Sequence, residues 1–372
     1  MNIPSFLDNI INLVKNKEES VLGIDIGSSS IKVVQVKEKS GRAILETYGE
    51  IALGPYAGMD AGRAVKLRTA EEAVAIKDVL REANTTTKVC GVAIPLASSL
   101  ITTMKVPQIA GTNLEEIVTM EARRYIPVSL EEITLDWQVI PEIGGVQADG
   151  KIESGSQTVR PSNILIVAVH TETINHLKEL SVSSMLESRF YELEAFSTIR
   201  SAIPQEKRTV SVVDFGASST KVYIAANGVI KVSHTIPFGS QDTTLSISRA
   251  TGMPVAEAER RKRSGESGEV MGINFKDIVE VNAAYVANEI LKVIREYQTK
   301  SGSIVEEVVF SGGGINFRGL YELLVEKLPV KSRKADPFAA LVAPAFLSGV
   351  LKEIGPSFGV AIGAALRAVS RS

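Results

Sequence analysis

Two short segments carry the residues best suited to chemistry. Residues 25–33 read DIGSSSIKV and residues 214–222 read DFGASSTKV. Asp, Gly, two Ser, Lys and Val recur at matching places. Each copy follows an apolar strand and runs into another, so both read as strand–turn–strand hairpins with small, glycine- and serine-rich tips. Small residues at such a turn let backbone N–H groups approach a ligand closely, and phosphates are natural guests of these nests. Ser28, Ser29 and Ser30 add hydroxyl donors, and Lys32 adds a point charge able to reach a β- or γ-phosphate. Asp25 and Asp214 end apolar strands, where an unpaired carboxylate is costly. Looking together into a shared cleft, they suit Mg²⁺ held through water, because that ion dehydrates reluctantly. Taken singly, each Asp is better explained as the cap of its own turn. The pair favours phosphate.

A third segment, Val308–Phe310 followed by Ser311-Gly312-Gly313-Gly314 and a helix from about Arg318, reads as strand, glycine-rich turn, helix. That arrangement lets backbone pass close to a flat base or a phosphate and sets a helix N-terminus nearby. A plain tight turn explains three glycines equally well. The spacing is not that of a GxGxxG fingerprint, and no GxxxxGK[ST] run occurs.

The elements that must position these tips alternate between strand and helix from Val21 onward, which predicts an α/β protein. The expected strands include Val21–Ile26, Ile31–Val36, Val89–Ile94, Leu100–Val106, Asn163–His170, Val210–Phe215, Lys221–Ala226 and Val229–Thr235. Helices are expected over Thr69–Glu82, Asn113–Tyr125, Thr173–Leu186, Ala195–Ala202, Gln241–Thr251, Val255–Arg263, Lys276–Thr299, Arg318–Lys327 and Ser357–Val369. Two copies of one hairpin imply two similar halves facing each other. Residues 144–162 read as a mobile surface loop, and residues 1–19 as an amphipathic helix with a charged hinge.

Composition narrows the function. The chain has 372 residues, 44% of them hydrophobic, with 41 lysines and arginines against 43 acids. That balance supplies no field for nucleic acid. With 1 cysteine and 3 histidines, a disulfide framework or a Cys/His metal cluster is not expected. No run of about 18 apolar residues predicts a membrane span, and the start lacks the pattern of a signal peptide. A cytoplasmic setting is the expectation.

These residues resemble the actin-like ATPase superfamily, which includes actin, DnaK-type chaperones, sugar kinases and FtsA. Residues 25–33 look like its first phosphate motif, 214–222 its second, and Phe310–Gly314 its adenosine motif. Glu192–Ala202 (ELEAFSTIRSA) and Phe358–Ala368 (FGVAIGAALRA) look like its two connecting helices. Within the superfamily the likeness is to the PilM proteins of type IV pilus assembly. It rests on LGIDIGSSSIKVVQV (22–36), EARRYIPVSLEEITLDWQVI (121–140), AEAERRKRSG (256–265) and VVFSGGGINFRGL (308–320).

The resemblance implies an actin-like α/β fold of two duplicated domains around a nucleotide cleft, with a small inserted subdomain of the FtsA/PilM type. The implied division is 1–19 as N-terminal helix and hinge, 20–97 and 161–204 as the first core, 98–160 as the insertion, and 205–372 as the second core. Within the second core, a helical subdomain of about 237–305 would contact the nucleotide. ATP with Mg²⁺ is the implied cofactor. Asp25 and Asp214 would hold the metal through water, and Gly27, Ser28, Ser29 and Lys32 would contact the β- and γ-phosphates. Gly216, Ser218 and Ser219 would close the site from the other side, while Gly312, Gly313 and Gly314 flank the adenosine. Glu259 and Lys262 match the position that meets ribose and base in relatives; an ordinary solvated charged helix face explains them equally well.

Glu194 aligns with the acid that positions attacking water in chaperone-like relatives, or else serves its helix N-terminus. Ala217 stands where strongly hydrolysing relatives often carry an acid, which implies firm ATP binding with weak or no ATPase activity. The implied role is a scaffold at the cytoplasmic face of the inner membrane. It would bind the N-terminal tail of a PilN-like membrane protein in a nucleotide-dependent way, with room for self-association. Leu100–Val106 and Ile117–Ile126 are candidate linings of the peptide groove. An FtsA-like division protein and a small-molecule kinase are the alternatives.

Overall fold

The computed structural model describes residues 19–106, 113–140, 162–266, 268–270 and 272–369. The expected N-terminal helix and hinge over 1–19 and the loop over 144–162, all but the last residue of each, lie outside the described residues.

The first half opens with β1 (Ser20–Ile26), β2 (Ser30–Lys39) and β3 (Arg42–Ala52), an antiparallel meander. The β2–β3 turn places Ser40 and Gly41 at positive φ, the geometry of a tight turn that matches strand twist. Next come α1 (Thr69–Glu82) and β4 (Val89–Ile94), which returns parallel to β1. Then β5 (Ser99–Val106), α2 (Leu114–Ala122), β6 (Ile133–Ile140) and β7 (Ser162–His170) form a separate three-stranded antiparallel sheet in the order β5-β7-β6. Ile117 and Val118 of α2 are buried on it against Met104, Val106, Ile164 and Ile166. Within the candidate groove segments Met104, Val106, Ile117, Val118, Ala122 and Ile126 are core, while Met120 and Tyr125 stay exposed.

The main chain re-enters the first sheet through α3 (Thr171–Ser183) and β8 (Glu187–Leu193), then passes into α4 (Glu194–Ala202). Strand β8 has no counterpart among the expected strands. Its sequence, ESRFYEL, has few β-branched residues, and pairing with β4 at the sheet edge makes it a strand.

The second half repeats the plan with β9 (Thr209–Phe215), β10 (Thr220–Ala226) and β11 (Val229–Ile236), followed by α5 (Ser240–Thr251) and α6 (Val255–Ser264). Its meander turn, Asn227-Gly228, again has both residues at positive φ. A two-residue pair, β12 (Glu269–Val270) and β13 (Ile273–Asn274), precedes the long α7 (Phe275–Ser301). The half is completed by β14 (Glu307–Ser311), α8 (Leu320–Lys327), β15 (Ser332–Lys334), α9 (Ser348–Ile354) and α10 (Gly359–Val369).

The two large sheets run β3-β2-β1-β4-β8 and β11-β10-β9-β14-β15. In each, three antiparallel strands are extended by two parallel ones, so the duplication seen in two nine-residue segments extends to the whole of both sheets. The last helix crosses back to the first sheet. A Cβ on Gly363 would lie 1.9 Å from the Ser197 carbonyl oxygen of α4, and one on Gly23 1.9 Å from that of Ala361. Backbone thus packs on backbone where β1, α4 and α10 meet. Arg200 and Arg367 both bind the buried Glu192 carboxylate there, at 2.7 and 2.8 Å. By length and composition the stretch Ala345–Val369 qualifies as a membrane span, which the sequence reading did not expect. Its α10 part is mostly buried in the core.

Candidate functional site

The hairpin tips are built alike. Asp25 pairs with Lys32 across β1 and β2, and Asp214 pairs with Lys221 across β9 and β10. In each tip the glycine N–H closes the turn, Gly27 onto the Ser30 carbonyl and Gly216 onto that of Ser219, both at 3.0 Å. Neither Asp caps its own turn. The tip carbonyls are used from outside: Val65 and Leu53 N–H groups bind those of Ser28 and Ser29, and Ser240 and Gln241 bind those of Gly216 and Ala217, all at 2.9 Å. The N–H groups of Ser28, Ser29 and Ser218 meet no acceptor among the described residues. Such unpaired N–H groups on cleft-lining turns are what an anion nest requires.

Both tips face one cleft of about 340 Å³. Its floor carries charge from six elements, β1, β2, β3, α4, β9 and β10. Lys32 donates to the Ser30 hydroxyl at 2.7 Å and lies 3.4 Å from Glu50 of β3. Lys221 lies 3.1 Å from Glu194 Oε2 and 3.5 Å from Asp214 Oδ2. Glu194, the first residue of α4, also accepts the Leu96 N–H through Oε1 at 2.7 Å. Burial would lower the Lys221 pKa, but Glu194 and Asp214 outweigh it and hold the ammonium well above its ordinary range. Asp25 is pushed up to about 6, mainly by burial and further by Glu194, against the attraction of Lys32. Burial also opposes ionisation of Glu50, but Lys32 and the Ser30 hydroxyl prevail and leave its pKa below the usual value.

The far wall comes from α5 and α6. Lys262 is buried, 2.7 Å from Glu259 Oε2, and donates to the Thr244 hydroxyl at 2.9 Å and the Ser240 carbonyl at 3.0 Å. Its pKa is depressed by burial, which Glu259 only partly offsets. Only the outer side of α6, where Arg260 bonds Glu257 and Glu266, is the solvated charged face. Beyond Lys262 and Phe317 the cleft continues into a more apolar cavity of about 370 Å³, lined in part by Ile247, Arg261, Phe275, Phe317 and Arg318.

The three glycines differ. Gly312 has φ +88°, and a Cβ there would lie 2.4 Å from Asp214 Oδ1; one on Gly314 would strike the Phe215 ring at 2.3 Å. Those two are fixed by packing on β9. Gly313 faces Ser357 with ordinary room.

Every residue singled out from the sequence lines this one cleft: Asp25, Gly27, Ser28, Ser29, Lys32, Glu194, Asp214, Gly216, Ser218, Ser219, Glu259, Lys262 and Gly312 to Gly314. The sequence reading missed Lys221, Glu50, Gly62, Arg263, Phe317 and the hydrogen-bonded pair Asn316 and Ser357. Lys221 had a signal, since it matches Lys32 in the repeat; the others come from segments without a motif. The donors suit a phosphate chain. The expected water-mediated hold on Mg²⁺ by Asp25 and Asp214 fits less well. Asp214 already has Lys221 on one oxygen, and Asp25 is the cleft carboxylate without a hydrogen-bond or ion-pair partner among the described residues.

A family model described as type IV pilus assembly protein PilM matches residues 23–369. Among solved structures the chain is similar to a PilM-PilN type IV pilus biogenesis complex, at 25% identity and TM-score 0.77, covering 94% of this chain and 98% of that one. It also resembles the ethanolamine utilization protein EutJ from Carboxydothermus hydrogenoformans, at 14% identity and TM-score 0.54, over 97% of both chains; that likeness is one of fold alone. The fold is that of the actin-like ATPases.

Proposed function

The chain belongs to the PilM family of type IV pilus assembly proteins, and from that membership we propose a nucleotide-holding scaffold that recruits the N-terminal tail of a PilN-like protein. Recruitment by a membrane-embedded partner would station it at the cytoplasmic face of the inner membrane. The solved relative is a complex with PilN, which supports that partner. The convergence of both hairpin tips on one cleft carries the nucleotide half of the reading.

ATP is the ligand that fits. Gly27, Ser28, Ser29 and Lys32 would grip the β- and γ-phosphates, with Gly216, Ser218 and Ser219 opposite. Glu259 and Lys262 would meet the ribose, and the apolar cavity beyond Phe317 offers room for a base. Hydrolysis is expected to be slow. Glu194 has one oxygen on the Leu96 N–H and the other on Lys221, a poor arrangement for drawing a proton from water. Ala217 adds no acid. Bound nucleotide would then stabilise the state that binds it by mass action rather than act by turnover.

The test is direct. Protein purified without added nucleotide is denatured and its supernatant chromatographed for adenine nucleotides. A synthetic peptide copying the cytoplasmic start of the PilN-like protein is then titrated onto nucleotide-free and ATP-loaded protein. The reading expects ATP to bind and to raise peptide affinity by about tenfold or more. Equal affinity in both states would remove the nucleotide dependence, and failure of ATP to bind would remove the ligand.

A further inference from the structure

The two hairpins present their lysines to the cleft differently, and the strand register explains it. Opposite Lys32 on the outer strand stands Glu50; opposite Lys221 stands Thr235. Directly paired residues share a face of the sheet. Lys32 therefore has an acid on its outer side, whereas Lys221 has a neutral hydroxyl there and turns to the acids of the floor. It lies 3.5 Å from Asp214 Oδ2 and 3.1 Å from Glu194 Oε2. Both oxygens of Glu194 are thereby engaged, and one oxygen of Asp214.

We propose that the Lys221 ammonium takes the place beside Asp214 and Glu194 that a hydrated divalent cation would need, so that a nucleotide binds this cleft with little dependence on divalent metal. The inference rests on the nucleotide reading above and deepens it by naming the form of ligand accepted. The waters of Mg²⁺ would have to compete with that ammonium for the same carboxylate oxygens. Here the second hairpin offers an ammonium instead, and a phosphate chain between the tips would find one lysine on each side, Lys32 and Lys221.

The experiment titrates a fluorescent ATP analogue onto the full chain in excess EDTA and in millimolar Mg²⁺, for the wild type, Lys221→Met and Lys221→Arg. The expected ratio of the two affinities is below about fivefold for wild type and Lys221→Arg, and above it for Lys221→Met, where EDTA-state binding weakens and Mg²⁺ restores it. A wild-type ratio above about fivefold overturns the proposal, as does an unchanged ratio in Lys221→Met. Should Lys221→Met fail to fold, the wild-type ratio still decides. Wild type that binds the analogue in neither buffer removes the nucleotide reading itself, and this inference with it.

Discussion

The hairpins of the two halves share their Asp–Gly–Ser–Lys sequence, their register and their tip hydrogen bonds, yet their lysines live in different electrostatic settings. Lys32 is held by Ser30 and by Glu50, whose side chain is 44% exposed. Lys221 is clamped between Asp214 and Glu194, whose side chains are 8% and 9% exposed. One residue on the neighbouring strand, Glu50 or Thr235, separates the cases. Duplication copied the backbone device; the flanking strand and α4 decided what each copy of the lysine does.

The sharpest break of this comparison is in stability. Lys221→Met should cost about 3 kcal/mol in chemical denaturation of nucleotide-free protein, because it strands two buried carboxylates without their cation. Lys32→Ala should cost less than about 1 kcal/mol, since Glu50 can turn to water. Similar costs would show that the settings are equivalent after all. For binding, the first hairpin should matter most: Lys32→Ala should weaken ATP by about 2 kcal/mol by calorimetry, the scale of a lost charged hydrogen bond.

A third effect separates Asp25 from Asp214. The folded pKa of Asp25, about 6, lies above its ordinary 3.8, so the folded state keeps the proton that the unfolded chain releases first. Ionising Asp25 therefore removes stability as pH rises from about 4 to 6, and that loss persists at higher pH. Asp25→Asn should relieve it, giving a nucleotide-free protein more stable than wild type by about 3 kcal/mol at pH 7 and by little near pH 4. Melting curves across that range would show it; a constant difference would contradict it. The smallest effect is the most diagnostic. Thr235→Glu puts an acid opposite Lys221, as Glu50 stands opposite Lys32, and should loosen the Lys221 clamp by about 0.5 kcal/mol. A raised Mg²⁺ dependence of ATP affinity in that variant would be its signature.

Much of this site was legible in one dimension because a repeat of hairpins is local: the tip, the Asp, the Lys and the small residues lie within nine positions. Residues such as Glu50 and Gly62 reach the cleft from β3 and the loop after it, and no motif flags them. Strand β8 escaped because its composition is poor for a strand and only pairing with β4 makes it one. Glycines 312 and 314 were legible as glycines but not for their reason, which is β9 packing against them.

The order of residues by itself thus determined two glycine- and serine-rich hairpin turns, an α/β alternation and a duplicated plan, since those depend on backbone conformations and contacts a few residues apart. Tertiary structure alone decided that the turns meet, that α10 closes on α4 and β1 through Gly363 and Gly23, and that Lys221 faces inward while Lys32 leans on Glu50. A side chain's charge is written in the sequence, but its partner is whichever opposite charge the fold brings within a few ångströms, and in a buried cleft that choice sets its role.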